Sequence, residues 1–348
     1  MARQQQVNKL NLTKDDYQGN PTTLCPGCGH NSISNQIVQT AFDLNIEQHN
    51  LLKMSGIGCS SKSPAYFLGR SHGFNALHGR MPSVVTGALM ANHSLKAVAV
   101  SGDGDTGSIG MGQFKHVIRR NVPFVYIIEN NGVYGLTKGQ FSATAEEGLE
   151  LKYYGKNPFP EIDLAMEAII SGATFVARSF SGDKNQVQSL LEAAMAHKGT
   201  AVIDIISPCV TFNNDESSQH SFKYGVKHNI PLHEIQVVAP DFVEGQDEIM
   251  VEQTEGEIMT VKMHDGSFIR LKAVDNEEYD PRSKGNAISL LEKAQREELF
   301  LTGLLYYEEP RPTLAETENL VDTPLARLDD AASRPTREQL ADVMKTFM

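Results

Sequence analysis

From about residue 20 to about residue 235 the chain alternates short apolar runs with segments whose apolar residues recur at helical spacing. LLKMSGI (51–57), LKAVAVSG (95–102), PFVYIIEN (123–130), ATFVARS (173–179) and TAVIDIISP (200–208) read as strands. Short, nearly continuous apolar runs of this kind are what strands buried on both faces require. Between them, GQFKHVIRR (112–120) and NQVQSLLEAAMAHKG (185–199) read as helices, the second ending on Gly199, which suits a helix C-cap. The alternation predicts an α/β fold: a mostly parallel sheet with helices on both faces.

The pattern changes on either side of this block. Residues 1–20 form a polar arm, expected to become ordered against a partner. Beyond 235, EIMTVKMHDGSFIRLKAV (257–274) alternates in period two around Asp265-Gly266, a hairpin signal. Residues 282–306 predict a helix followed by an apolar end, and 336–347 a last helix. The expected organisation is an arm (1–20), an α/β domain (21–235) and a C-terminal extension of hairpin, helix and tail (236–348). Arm and hairpin are the candidates for docking on another subunit.

Composition narrows the function. In 348 residues, 31 basic side chains face 43 acidic ones, a net charge of −12, which argues against a nucleic-acid or anionic-membrane partner and fits a cytoplasmic protein. The N-terminus is polar where a secretory signal places an apolar stretch, and no apolar run approaches the roughly 18 residues of a membrane span. Four cysteines, Cys25, Cys28, Cys59 and Cys209, are too few for a secreted disulfide framework. Four is also the number of thiolates that closes one metal or cluster site.

Ligands of open parallel sheets gather beyond the carboxyl ends of the strands. Three such segments stand out: GIGCSSK (56–62), GDGDTGSIG (102–110) and NNGVYGLTKGQ (130–140). An isolated GDG is usually a surface turn, but here apolar strands flank it and NN follows the next strand. An EF-hand is excluded, because Phe114 stands where that loop needs a carboxylate. GDG followed by NN resembles the thiamine diphosphate motif, in which an Asp and an Asn hold magnesium against a diphosphate. Magnesium takes oxygen ligands in near-octahedral array. Asp103, Asn131 and the Val133 carbonyl would supply them, with Gly102 and Gly104 letting the backbone approach the phosphates.

The cysteines follow the same geography. Cys59 and Cys209 come directly after predicted strands, at the edge that carries Asp103 and Asn131, and the Cys25–Cys28 loop is placed to close over them. Four thiolates suit zinc or an iron–sulfur cluster. Zinc sites commonly draw on two CxxC pairs, whereas here one pair joins two isolated thiols. With four thiolates available, His30 reads as a hydrogen-bonding residue rather than a ligand.

Together GDGDTGSIG, NNGVYGLTKGQ, TLCPGCGH, GIGCSSK and LHGR resemble the β subunits of the 2-oxoacid:ferredoxin oxidoreductases, most of all those acting on 2-oxoglutarate. The likeness runs from about 20 to about 235, more loosely through YDPRSKGNAISLLEKA and TGLLYYEE. It implies coenzyme A-dependent oxidative decarboxylation of a 2-oxoacid on thiamine diphosphate, with electrons leaving singly through a 4Fe-4S cluster to ferredoxin, and a site able to run in reverse. It implies magnesium ligands Asp103, Asn131 and Val133, and cluster ligands Cys25, Cys28, Cys59 and Cys209. Ile57, Gly58, Cys59, Ser60, His78, Gly102, Gly104, Asp105, Gly135 and Leu136 fall at thiamine contacts. Lys62, Lys138 and His78 fall at catalytic positions, where the bland readings are solvated amines and a buried histidine. One departure is Gln113, where the family commonly carries His.

The glutamate that activates the thiamine pyrimidine, and most coenzyme A contacts, are expected on an α subunit in an (αβ)2 assembly. Lys138 as a partner for a distal carboxylate favours 2-oxoglutarate, with pyruvate second. The rivals are a non-redox thiamine diphosphate decarboxylase subunit and a zinc-stabilised scaffold.

Overall fold

The computed structural model describes residues 6–238, 258–263, 266–273, 279–309 and 311–347. The main sheet is built from β1 (Leu51–Ser55), β2 (His72–Asn75), β3 (Lys96–Gly102), β4 (Phe124–Asn130), β5 (Phe175–Phe180) and β6 (Thr200–Ile206), with β7 (Asn229–Pro231) and, near the C-terminus, β11 (Phe300–Tyr307). A small antiparallel sheet holds β8 (His233–Val238), β9 (Ile258–Lys262) and β10 (Phe268–Ala273). The eight strands of the main sheet run in the order β7-β11-β5-β6-β4-β3-β1-β2. All pair in parallel except β11, which runs antiparallel to β5.

Alternation along the strands divides the core. Val98 and Val100 of β3 pack with α1 (Gly29–Asp43), α5 (Lys184–Ala196) and the small sheet. Ala97 and Ala99 face the other way, into a cluster with α2 (Met81–Ala91), α3 (Met111–Arg119), α4 (Leu164–Ser171) and α6 (Lys284–Arg296). Every residue of β1, β4 and β6 is buried, which is why those segments read as nearly continuous apolar runs, interrupted by Lys53, Glu129 and Asp204.

Several expectations change in detail. α5 starts on Asp183, whose side chain accepts from Gln186 N, but it ends at His197, so Gly199 is not its cap. A Cβ on Gly199 would lie 2.5 Å from Asn121 Oδ1; close packing explains this glycine. The arm needs no partner over its described part: Tyr17 is fully buried and donates its hydroxyl to Ile46 O at 3.0 Å. The hairpin forms and gains β8 as a third strand; Asp265 lies outside the described residues. The apolar end after 282 is β11, a strand of the main sheet. Its register shift between Leu304 and Tyr306 breaks the period that marks a strand in sequence. Among the described residues no helix is long and apolar enough to cross a membrane.

His233 joins the small sheet to the large one. Its Nε2 accepts from Leu304 N at 2.5 Å, and it packs on Gly303, where φ is +121° and a Cβ would lie 2.6 Å from that nitrogen. Burial lowers the His233 pKa to about 4, so the fold holds the ring neutral while the unfolded chain protonates it near 6.5. The depressed pKa gives stability that is complete above about pH 6.5 and is lost as pH falls towards 4. Urea unfolding across that window should show a declining midpoint, with a shallower slope in His233→Gln; equal slopes would refute the assignment.

Candidate functional site

Strands β1, β3, β4 and β6 lie side by side and end at one edge. Register sets Ser55 beside Val100, Gly102 beside Glu129 and Asn130 beside Ile206. The residues that follow, Gly56–Ser60, Asp103, Asn131 and Cys209, therefore emerge together. Every residue that the resemblance assigns to thiamine, along with Val133, lines one cleft of ≈ 430 Å³, its open mouth included.

Asp103 is 1% exposed. Its Oδ2 accepts the hydroxyls of Ser142 and, at 2.8 Å, Thr144, and its Oδ1 accepts Asn131 N at 3.4 Å. Asn131 Oδ1 accepts Val133 N at 3.1 Å, which holds the amide in a tight Asx turn. Buried carboxylate and amide oxygens so placed suit a hard divalent cation. Two further observations fit a diphosphate cofactor. Ser60 Oγ, in the cleft wall, is buried with no hydrogen-bond partner. A Cβ on Gly104 would lie 2.5 Å from the Tyr134 ring, whose hydroxyl donates to Gly104 O at 2.9 Å, so only glycine fits between ring and cleft.

Asp105 organises the neighbouring wall. Its Oδ1 accepts Gly79 N at 2.7 Å and pairs with His78 Nδ1, while its Oδ2 accepts Ser101 Oγ at 2.7 Å. The carboxylate takes up the Nδ1 edge of the ring and leaves Nε2 outside that pairing. His78 is one-third exposed and packs edge-on against Tyr134.

The thiols stand next to the cleft. A Cβ on Gly135 would lie 3.4 Å from Cys209 Sγ and 3.5 Å from Cys59 Sγ. The Cys25–Cys28 loop is tied to the same place: Gly29 N donates to Pro208 O at 3.4 Å, and Thr211 Oγ1 donates to Cys25 Sγ at 3.6 Å. Burial, with the charges of Cys209, Cys59 and Glu129 nearby, pushes the Cys28 thiol up to about 12. Burial and Cys209 raise Cys59 to about 11, partly opposed by Lys62. Thiols crowded in this way stay protonated unless a metal centre takes their place as counter-charge. Among the described residues, no three or more His, Cys, Asp or Glu side chains gather tightly enough to hold a single metal ion.

Beside the thiols lies Glu129, fully buried, with both carboxyl oxygens 3.0 Å from Ser63 Oγ. Burial drives its pKa well above the usual carboxylate range. His30 is also buried, with Nδ1 2.6 Å from Ser207 Oγ, and burial lowers its pKa to about 4, so it is neutral. Neither Lys62 nor Lys138 lines the cleft. Lys138 is exposed in a left-handed turn (φ +79°) immediately after the cleft residue Thr137, and Lys62 lines a separate groove with Lys53, Asn20 and Asn75. Gln113 pairs with Ser83 outside the cleft, so the departure from the family pattern falls away from the wall. Sequence reading missed Glu129, Tyr134, Ser142 and Thr144. Only Glu129 left a signal, a carboxylate inside an otherwise apolar strand.

Residues 56–205 match the family described as thiamine pyrophosphate enzyme, C-terminal TPP binding domain. A 2-oxoacid:ferredoxin oxidoreductase subunit beta from Sulfolobus is 42% identical over 194 residues, 55% of this chain and 63% of that protein. A 2-oxoglutarate oxidoreductase subunit KorB from Mycobacterium tuberculosis is 38% identical over 58% of this chain and 54% of its own length; this chain thus matches less than two thirds of either protein. Coverage is higher for the 2-oxoglutarate synthase subunit KorB of Methanocaldococcus jannaschii, 32% identical over 65% of this chain and 85% of that protein. A solved structure of 2-oxoglutarate:ferredoxin oxidoreductase from Magnetococcus marinus, with 2-oxoglutarate, coenzyme A and succinyl-CoA bound, superposes with a TM-score of 0.70 at 29% identity, covering 96% of this chain and 100% of that one. With its thiamine diphosphate-binding fold and these relatives, the chain belongs to the β subunits of the 2-oxoacid:ferredoxin oxidoreductases.

Proposed function

We propose that the chain carries thiamine diphosphate, magnesium and a 4Fe-4S cluster in a coenzyme A-dependent oxidoreductase that decarboxylates 2-oxoglutarate and passes electrons to ferredoxin. The observation that carries this reading is the arrangement around Gly135: Asp103, Asn131 and Val133 line the cleft to which Gly135 belongs, and the Cys59 and Cys209 thiols lie beside the same residue. Bound thiamine diphosphate supplies the nucleophile for the 2-oxo carbon and a sink for the electron pair left by departing CO2, and a cluster accepts such electrons one at a time.

The chain's own residues do the rest. Asp103, Asn131 and the Val133 carbonyl hold magnesium against the diphosphate, and Cys25, Cys28, Cys59 and Cys209 hold the cluster. His78, its Nδ1 edge taken up by Asp105, presents Nε2 to accept or return a proton at the cleft wall. Lys62 and Lys138 stand outside the wall as cations for substrate carboxylates, Lys138 serving the distal one that pyruvate lacks. An α subunit brings the pyrimidine-activating glutamate and most coenzyme A contacts, in an (αβ)2 assembly.

Anaerobically purified protein should contain about four iron and about four acid-labile sulfide per chain. Zinc in their place would establish the scaffold reading, and empty thiols the non-redox decarboxylase. The chain alone should show negligible turnover and recover it with its α subunit; full activity alone would refute the two-subunit site.

In the assembled enzyme, kcat/KM should favour 2-oxoglutarate over pyruvate. Lys138→Gln should raise KM for 2-oxoglutarate about tenfold, as loss of a charge-assisted hydrogen bond does, and leave pyruvate kinetics nearly unchanged. A wild-type preference for pyruvate overturns the substrate assignment.

A further inference from the structure

A hydrogen-bonded chain runs from Asp103 away from the cleft and ends in the segment after Cys209, beyond the residues 56–205 that match the thiamine-binding family. Thr144 Oγ1 lies 2.8 Å from Asp103 Oδ2 and 2.8 Å from Asn130 Oδ1. His220 Nε2 lies 3.0 Å from that same Asn130 oxygen, and His220 Nδ1 lies 3.1 Å from Glu146 Oε1. Asp103, Thr144, Asn130 and His220 are buried, His220 at 5% exposure and Asn130 at 3%, and Glu146 at the far end is partly buried.

We propose that His220 is a positioning residue for Asp103, acting through Asn130 and Thr144. Donor counting carries the argument. Asn130 Nδ2 donates to Asp204 Oδ1 at 3.0 Å, and Asp204 is held in turn by Arg178 Nε at 3.2 Å. The carboxylate fixes which way the Asn130 amide faces, so Oδ1 is the atom that meets Thr144 and His220 and can only accept. Thr144 has a single hydroxyl hydrogen for Asp103 Oδ2 and Asn130 Oδ1; Ser142 Oγ, 3.1 Å away, gives its own hydrogen to Asp103 and so can only add a further acceptor. With His220 Nε2 donating to Asn130 Oδ1, that hydrogen is left for Asp103. Without it, Asn130 competes for the Thr144 hydrogen and the carboxylate loses one of the donors that orient it.

Glu146 keeps His220 in the donating form. Its Oε1 also accepts Ser218 Oγ at 3.1 Å and Gln219 N at 2.5 Å, so it faces Nδ1 as a fixed acceptor, and both ring nitrogens carry hydrogen. Burial pulls the His220 pKa down, but the Glu146 carboxylate more than offsets it. His220 also lies over the back of the Asn131–Gly132 turn: a Cβ on Gly132, where φ is +73°, would sit 3.1 Å from Nδ1. The segment after Cys209 thus supports the oxygen ligands from behind.

The inference rests on the reading of Asp103 as a magnesium ligand, and the experiment separates the two. The assembled complex is stripped of magnesium and thiamine diphosphate with a chelator, and magnesium is titrated calorimetrically at fixed thiamine diphosphate. His220→Asn keeps a donor at the Nδ1 position for Glu146 but does not reach Asn130; His220→Gln places its donor at the Nε2 position. His220→Asn should weaken magnesium binding about tenfold and His220→Gln by less than about threefold, in line with losses at residues that orient metal ligands. Melting temperatures identify any loss that is only structural, which would lower both variants alike. Equal affinities in the two variants, or wild-type affinity in His220→Asn, overturn the positioning role. Wild-type affinity in Asp103→Ala overturns the magnesium reading itself.

Discussion

Everything at the site depends on parallel strands ending together. Backbone pairing brings β1, β3, β4 and β6 to one edge, and each then releases a short segment of fixed chemistry: Cys59, Asp103, Asn131, Cys209. No side-chain contact is needed to bring these positions near one another; the ladder does it. The helices and the C-terminal strand β11 add the buried apolar area that holds the ladder rigid. A slip of one residue in any pair would turn the side chains of that strand to the opposite face, so register protects the site along with the core.

What the ladder gathers is unfavourable by itself. Asp103 and Asp105 are almost fully buried, Glu129 is fully buried, and the thiols of Cys28 and Cys59 are crowded. The protein handles these groups in three ways. Asp105 is satisfied by donors from three residues and by its pairing with His78 is tied into the cleft wall. Glu129 meets Ser63 Oγ at 3.0 Å, with His30 Nδ1 at 3.7 Å, and burial drives its pKa well above the usual carboxylate range. Asp103 is met by the hydroxyls of Ser142 and Thr144 and the backbone N–H of Asn131, and the crowded thiols of Cys28 and Cys59 are pushed towards their protonated form.

Much of this was legible beforehand, because strands buried on both faces must be apolar runs and because the chemistry follows directly after them. The cleft residues from Ile57 to Leu136 were named by the family resemblance, and all but His78 lie in the segments that follow three strands. What escaped had no local signature. Ser142 and Thr144 are ordinary hydroxyl residues whose role depends on where Asp103 lands, and β11 is masked by its irregular register and its antiparallel direction. Gly199 shows the converse: a residue read correctly as special for the wrong reason, since its neighbours across the fold, and not the end of α5, exclude a side chain. Lys62 and Lys138 were placed near the chemistry by sequence distance, yet the turn at Lys138 and the groove beside Lys62 carry both outside the wall.

Gly135 deserves a last consequence. A single methyl group there would touch both Cys209 and Cys59, so one residue of the cleft wall is also in reach of the thiols. Mutations at this position are felt in two compartments at once, and so the two halves of the site cannot drift independently. A lineage that enlarged the cleft for a new substrate through this wall would disturb the sulfur side in the same step.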